Sequence, residues 1–240
     1  MPPEWDTICS MLSLAVDTST LSGSLAILRE ERVMALVGAA VEETYSSRLF
    51  RHLRFLLAEN NLRMEDFGLF SVASGPGSFT GLRVGLAAVK GWAEAFGKPV
   101  AGVSVLEAIV ARATSPEPLA AALLDARRGQ VFAGVYGRAG VALERKGEEV
   151  VLEPRECLEW LARQAPPETL ALVSPSPEAI SPFLETSAFR GRSVERVSGL
   201  LADEIGRLGY RMLQRGAAAG ALELDANYVR RSDAEVKWKD

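Results

Sequence analysis

The chain has 240 residues, 48% apolar and 24% charged, enough to bury one large core or two small ones and too apolar for overall disorder. Its net charge of −4 argues against a protein that grips nucleic acid unaided, so any RNA contact would leave most phosphate neutralisation to a partner. The two cysteines, Cys9 and Cys157, are far apart, which excludes a disulfide framework and points to a reducing cytoplasm. No apolar run reaches the ~18 residues of a membrane-spanning helix, and the start lacks the basic region of a signal peptide.

Residues 1–10 read as an extension or an upstream start choice, with no regular pattern. Leu12 to Asp17 is an apolar run ending in an acid. After a turn at Thr18–Ser22, Gly23 to Arg29 and Arg32 to Ala39 read as strands. Ser46 to Glu59 predicts a helix with Leu49, Leu53, Leu56 and Leu57 on one face. Leu69 to Ser74 predicts a buried strand. A glycine-rich loop follows, then a helix from Ser78 to about Phe96, a strand at Val100–Val103 and a helix capped by Ser104.

The second half repeats that order. Leu119 to Asp125 is again an apolar run ending in an acid. Arg127-Arg128-Gly129 turns into Val131–Tyr136, with Val141–Arg145 pairing next. A helix opens at Glu153-Pro154, Leu170–Ser174 is a strand, and Pro177–Leu184 a short helix interrupted by Pro182. Val194–Val197 is a strand, and Ser198 caps a long helix toward Arg215. Two copies of βββαβαβα predict an α/β protein of duplicated lobes, the architecture of actin, Hsp70 and sugar kinases. The expected divisions are a first lobe at 1–113, a second at 114–216 and a tail at 217–240.

Ser74-Gly75-Pro76-Gly77-Ser78-Phe79-Thr80-Gly81-Leu82-Arg83 joins a strand to a helix. Its glycines permit close backbone approach, and free helix amides attract anions. The loop therefore allows phosphate or carboxylate binding; equally, it is a tight turn with Ser78 as N-cap. It matches neither the P-loop nor the dinucleotide fingerprint. In the following helix Thr80, Arg83, Lys90 and Glu94 fall within roughly an 80° arc. The rest of the circumference is apolar or small, which predicts cover on two sides, one its own sheet and the other a neighbouring helix or a second subunit. Gly81 and Gly85, four apart, would admit a facing helix. On the preceding helix Arg48, Arg51, His52, Arg54 and Phe55 predict a basic outer face, open to solvent or to an acidic or RNA partner.

An ATPase of this architecture needs a carboxylate in each strand-end hairpin and glycine-rich phosphate turns. Asp17 and Asp125 stand at the two strand ends. The first turn, Thr18-Ser19-Thr20, lacks a close glycine, and the second carries Arg127 and Arg128 where phosphate would sit. Asp17, Thr18, Gly75, Gly77, Ser78, Asp125 and Arg127 thus outline a degenerate nucleotide cleft, with no cofactor and no metal expected. One histidine cannot supply the His pairs of zinc or iron sites, and no nucleophile–base pair supports a peptidase. The other reading that stays open is a magnesium-dependent ATPase or small-molecule kinase using Asp17 and Asp125.

The run from Ser74 to Arg83, with Leu14-Ala15-Val16-Asp17-Thr18-Ser19, Asp125-Ala126-Arg127-Arg128-Gly129-Gln130-Val131-Phe132 and Asn227-Tyr228-Val229-Arg230-Arg231, resembles the TsaB family, also called YeaZ, a relative of the glycoprotease-like proteins. The resemblance runs from about Met11 to the C-terminus and is strongest in the first half. It implies a non-catalytic accessory subunit for placing threonylcarbamoyl on the adenosine beside the anticodon in tRNAs that read A-starting codons. The transferase would be the paralogue TsaD, with the ATPase TsaE in the same machinery. It further implies docking on TsaD, or self-association, through the first two helices, with contacts at Tyr45, Arg48, His52, Phe55, Phe79, Gly81, Leu82, Gly85, Ala88, Val89 and Trp92. Tyr45-Ser46 stands where the family often has His-Ser, and Arg51 where it often has Pro.

Overall fold

The computed structural model describes residues 10–39, 45–140 and 142–229. Five strands, β1 (Leu12–Asp17), β2 (Ser24–Arg29), β3 (Arg32–Gly38), β4 (Leu69–Gly75) and β5 (Val100–Ser104), form a mixed sheet ordered β3-β2-β1-β4-β5. Helices α1 (Tyr45–Glu59), α2 (Phe79–Phe96) and α3 (Val105–Ala111) belong to this half of the chain. The second half repeats the plan with β6 (Leu119–Arg127), β7 (Gln130–Ala139), β8 (Ala142–Leu152), β9 (Leu170–Ser174) and β10 (Val194–Arg196), ordered β10-β9-β6-β7-β8. Helices α4 (Pro154–Gln164) and α5 (Ala202–Gln214) complete it. In both sheets the first strand pairs antiparallel with the second and parallel with the fourth. The duplicated α/β architecture is therefore present.

Strand periodicity assigns the layers. In β6, Ala121 and Leu123 join a cluster with Cys157, Leu158 and Leu161 of α4, while Ala120, Ala122 and Leu124 join the larger core on the other face. In the first sheet Val72 of β4 lies beside Gly85 of α2, and the next residue back, Ser71, lies beside Gly209 of α5. The sheets are thus covered outside by α1 and α2, and by α4, and share a central layer of α3 and α5.

That central layer departs from the expected lobes. Helix α5, placed by sequence with the second lobe, packs on β1, β2, β4 and β5 of the first sheet, while α3 of the first half lies against β6 and β7. The seat for α5 is small: Ala15, Ala26, Ser71 and Ala101 line up across the register. Gly206 and Gly209 bring the helix down so far that a Cβ on either would collide with Leu28 or Ser71. Arg112, at the end of α3, donates to Asp203 of α5 and to the Leu200 carbonyl, and so ties the two central helices together.

Three local expectations are corrected. Helix α5 starts at Ala202, not after Ser198, whose hydroxyl instead accepts from the Leu200 amide at 3.2 Å. Pro177–Leu184 forms two 3-10 turns, Pro177–Ala179 and Ser181–Thr186, because Pro182 has no amide to donate. β8 runs on to Leu152. Its charged run Glu144, Arg145, Lys146, Glu148 and Glu149 hides the strand and suits an open sheet edge.

Candidate docking surface and strand-end cleft

The loop after β4 is built as a helix entry. The Ser78 hydroxyl accepts the Gly81 amide at 3.2 Å, the N-cap arrangement that satisfies one free amide of α2. Gly75 sits at φ +124°, open only to glycine. The space in front of these glycines is filled by the protein's own backbone. A Cβ on Gly77 would stand 2.5 Å from the Ser19 carbonyl, and one on Gly75 2.5 Å from the Asn227 carbonyl. The Ser78 amide already donates to the Ser19 carbonyl at 2.7 Å, and the Asn227 amide to the Ser74 carbonyl at 2.7 Å.

Asp17 is sealed, with 1% of its surface exposed. Its Oδ1 accepts the Ser19 amide at 2.9 Å and the Ser19 hydroxyl at 2.6 Å, while Oδ2 is buried without a hydrogen-bond partner among the described residues. Burial pushes the carboxyl up to about 6, against the pull of the Ser19 bonds and of the Leu201 amide at the mouth of α5. The neighbouring α5 amide, Ala202, donates to Ser24 at 3.1 Å. Thr18 is also buried and donates to the Gly81 carbonyl of α2 at 2.7 Å.

The second strand end is different. Asp125 is half-buried and accepts the Arg127 amide at 2.7 Å, with the Arg127 guanidinium 3.7 Å from its other oxygen. Arg127, Arg128 and Gly129 all have positive φ, 61°, 55° and 71°. Two non-glycine residues in this region cost about 1–2 kcal/mol each, so the turn is shaped at some expense. A magnesium nucleotide does not fit these residues: one carboxylate is walled in, the other is tied to an arginine, and carbonyls occupy the glycine cradle. No group of three or more His, Cys, Asp or Glu among the described residues could hold a metal ion.

On the outer side, α1 and α2 lie side by side. Gly81, Leu82, Gly85 and Val89, expected at a partner contact, are buried in their own lobe. Gly85 admits Thr18 of the β1–β2 turn rather than a foreign helix, since a Cβ there would strike the Thr18 hydroxyl, which donates to the Gly81 carbonyl. Arg48, expected on the outer face, is also corrected: it is 2% exposed and donates to the Ala39 carbonyl at 2.9 Å and the Leu21 carbonyl at 3.3 Å. His52 is half-buried, Phe55 is exposed, and the side chain of Tyr45 lies outside the described residues.

What faces outward on α2 is a strip of small apolar residues. Ala87, Gly91 and Ala95 are exposed, and Val84, Ala88 and Trp92 are half-buried against the core. The Trp92 ring meets Phe70 of β4 at 6.0 Å and Phe50 of α1, edge-on, at 6.4 Å. Phe50 remains 50% exposed and crowns the junction of the two helices. Phe55 stands about 140° away around α1, on its other flank.

The whole-chain comparisons decide the family. A family model described as TsaD: tRNA N6-adenosine threonylcarbamoyltransferase matches residues 37–197. The tRNA threonylcarbamoyladenosine biosynthesis protein TsaB of Bacillus subtilis is 31% identical over 231 residues, covering 95% of this chain and 98% of that protein. The chain belongs to the TsaB family. The Haemophilus influenzae TsaB is 29% identical over 94% of the chain and 95% of its own length. The structure of YeaZ from Pseudomonas aeruginosa matches with a TM-score of 0.74 at 27% identity, over 91% of this chain and 99% of that one.

Within this TsaB-family chain, sequence reasoning missed two groups. Phe50 was overlooked although it falls one residue after the core position Leu49, on the flank that turns toward α2. The tail shows no strand or helix periodicity that would predict a site. There Leu224 fills the space in front of Gly102, and Asn227 donates to Glu149 at 2.5 Å. Glu149 also accepts from Ser104 at 2.5 Å and from Tyr136 at 2.6 Å, so one carboxylate binds tail, first sheet and second sheet. The motif Asn227-Tyr228-Val229 was the available signal. The cysteine reading holds: burial pushes the Cys157 thiol up to about 12, which suits a core residue and not a nucleophile.

Proposed function

We propose that this chain acts in making threonylcarbamoyladenosine in tRNA as a non-catalytic subunit. In this reading it docks on the TsaD transferase through the apolar strip of α2 and Phe50 of α1, with TsaE as a further component. The carrying observation is the outward strip in which Ala87, Gly91 and Ala95 are exposed and Val84, Ala88 and Trp92 are only half-covered by the chain's own core. A soluble helix pair normally turns charge toward water, and a contiguous small-residue face backed by two exposed or half-exposed aromatics suits close packing against other helices. Its relatives in Bacillus subtilis and Haemophilus influenzae, tRNA threonylcarbamoyladenosine biosynthesis proteins, supply the pathway, and the filled strand-end cleft supports the absence of chemistry in this subunit. A second copy of the chain could occupy the same face when TsaD is absent.

Gly91→Glu tests the docking cleanly, because nothing lies within 4 Å of the position and a side chain there points away from the fold. In gel filtration with TsaD of the same organism, the variant is expected to elute separately while keeping the melting temperature of the parent chain. Co-elution with unchanged affinity would remove this surface from the reading. Magnesium-dependent ATP turnover by the chain alone would restore the kinase alternative, for which the cleft geometry offers no support.

A further inference from the structure

Helix α2 carries a second strip beside the apolar one. Phe79, Arg83, Lys90 and Glu94 follow one another along its polar edge. At its start three side chains are stacked. The Tyr228 ring lies 5.2 Å from that of Phe79, tilted by 37°, and the Arg83 guanidinium lies over the Phe79 ring at 3.9 Å. Arg83 Nε also donates to the Tyr228 hydroxyl at 3.4 Å. Arg83 is exposed and Tyr228 is 44% exposed, so the stack has outer faces open to solvent. The tail that delivers Tyr228 is anchored by Leu224 and by the Asn227 bonds to Ser74 and Glu149. The ring is therefore presented by a fastened segment.

From this juxtaposition we infer that Tyr228, Phe79, Arg83 and Lys90 form a contact strip for single-stranded RNA. An unpaired base extends the stack on the outer face of the guanidinium or the phenol ring, and Arg83 and Lys90 neutralise phosphates. Every base has a face for such stacking, and an arginine already flattened on an aromatic ring loses little freedom on receiving one. From Phe79 to Lys90 the helix rises about 16 Å, room for a few nucleotides. The chain's net negative charge makes this local cationic strip a directed feature and not a general affinity for polyanions. The inference rests on the tRNA-modification reading and extends it: enzyme partner and substrate RNA would lie along adjacent strips of one helix.

The test uses the full chain assembled with TsaD and TsaE and an unmodified transcript of a tRNA that reads an A-starting codon. Arg83→Ala and Tyr228→Ala are each expected to weaken transcript binding about ten-fold. Arg83→Ala should also lower the slope of log affinity against log salt by about 0.7. Tyr228→Phe, which keeps the ring, should bind like the parent. Ultraviolet crosslinking should place RNA on the peptides containing Phe79 or Tyr228. Unchanged affinity and salt slope in both alanine variants, with no crosslink there, would overturn the inference. Loss of co-elution with TsaD in Arg83→Ala would overturn it too, by making the strip a protein contact. Failure of the modification reading reads out separately, as tRNA modification that proceeds without this chain.

Discussion

Leu14-Ala15-Val16-Asp17 and Ala122-Leu123-Leu124-Asp125 occupy equivalent places in two halves of one repeated plan, yet their carboxylates live in opposite surroundings. Asp17 is enclosed under the mouth of α5, with one oxygen unpartnered and a carboxyl pushed up to about 6. Asp125 sits at the rim, half in water, holding its own hairpin turn through the Arg127 amide. The difference teaches that a shared motif does not carry a shared role. What decides is the element that lands on top of it, and α5 lands on only one of the two.

The largest expected effect breaks the lid itself. Gly209→Val forces a branched side chain into Ser71 and should lift α5 from the first sheet, costing about 3 kcal/mol in urea unfolding. A cost below about 1 kcal/mol would mean that α5 is not held as tightly as its glycines indicate. The next effect concerns Asp17 directly. Its folded carboxyl binds a proton more tightly than the unfolded one, so the sign is that stability falls as pH rises from about 4 to about 6 and stays lower above that. A rise from the ordinary 3.8 to about 6 corresponds to about 3 kcal/mol withheld at neutral pH. In Asp17→Asn this component of the pH profile should vanish. Parallel profiles for variant and parent between pH 4 and 7 would show that Asp17 does not titrate in that window. The smallest effect is at the rim: Asp125→Asn weakens one exposed ion pair and should change the unfolding free energy by less than about 1 kcal/mol. A cost equal to that of Gly209→Val would erase the contrast between the two strand ends.

Much of the fold was legible because strand alternation and helical periodicity are local. The acid-terminated runs, the Ser78 cap and the order of strands and helices follow from neighbours in sequence. Partners across the chain were not. The pattern of α5 declares an apolar face but does not say which sheet receives it, and Gly206 and Gly209 acquire meaning only once Leu28 and Ser71 are beneath them. Gly81 and Gly85 likewise announce a close approach without naming Thr18 as the group that approaches. Arg48 looked like a surface cation because its acceptors, the carbonyls of Leu21 and Ala39, come from a turn and a strand end earlier in the chain. Charge alone cannot reveal such a berth. At the docking face the uneven cover of α2 was readable, whereas the residues that form its crest depended on how α1 lies against it.

The exchange of α3 and α5 between the sheets also bears on how the chain comes off the ribosome. The first sheet is complete in sequence by Ser104, but its inner face gets its cover only when residues 202–214 have been made. Until then Ala15, Ala26 and Ala101 face water along one side of an open sheet, and the early half cannot settle by itself. Expression of residues 1–113 alone should therefore give aggregated or chaperone-held material, and supplying the remaining segment in trans should rescue it.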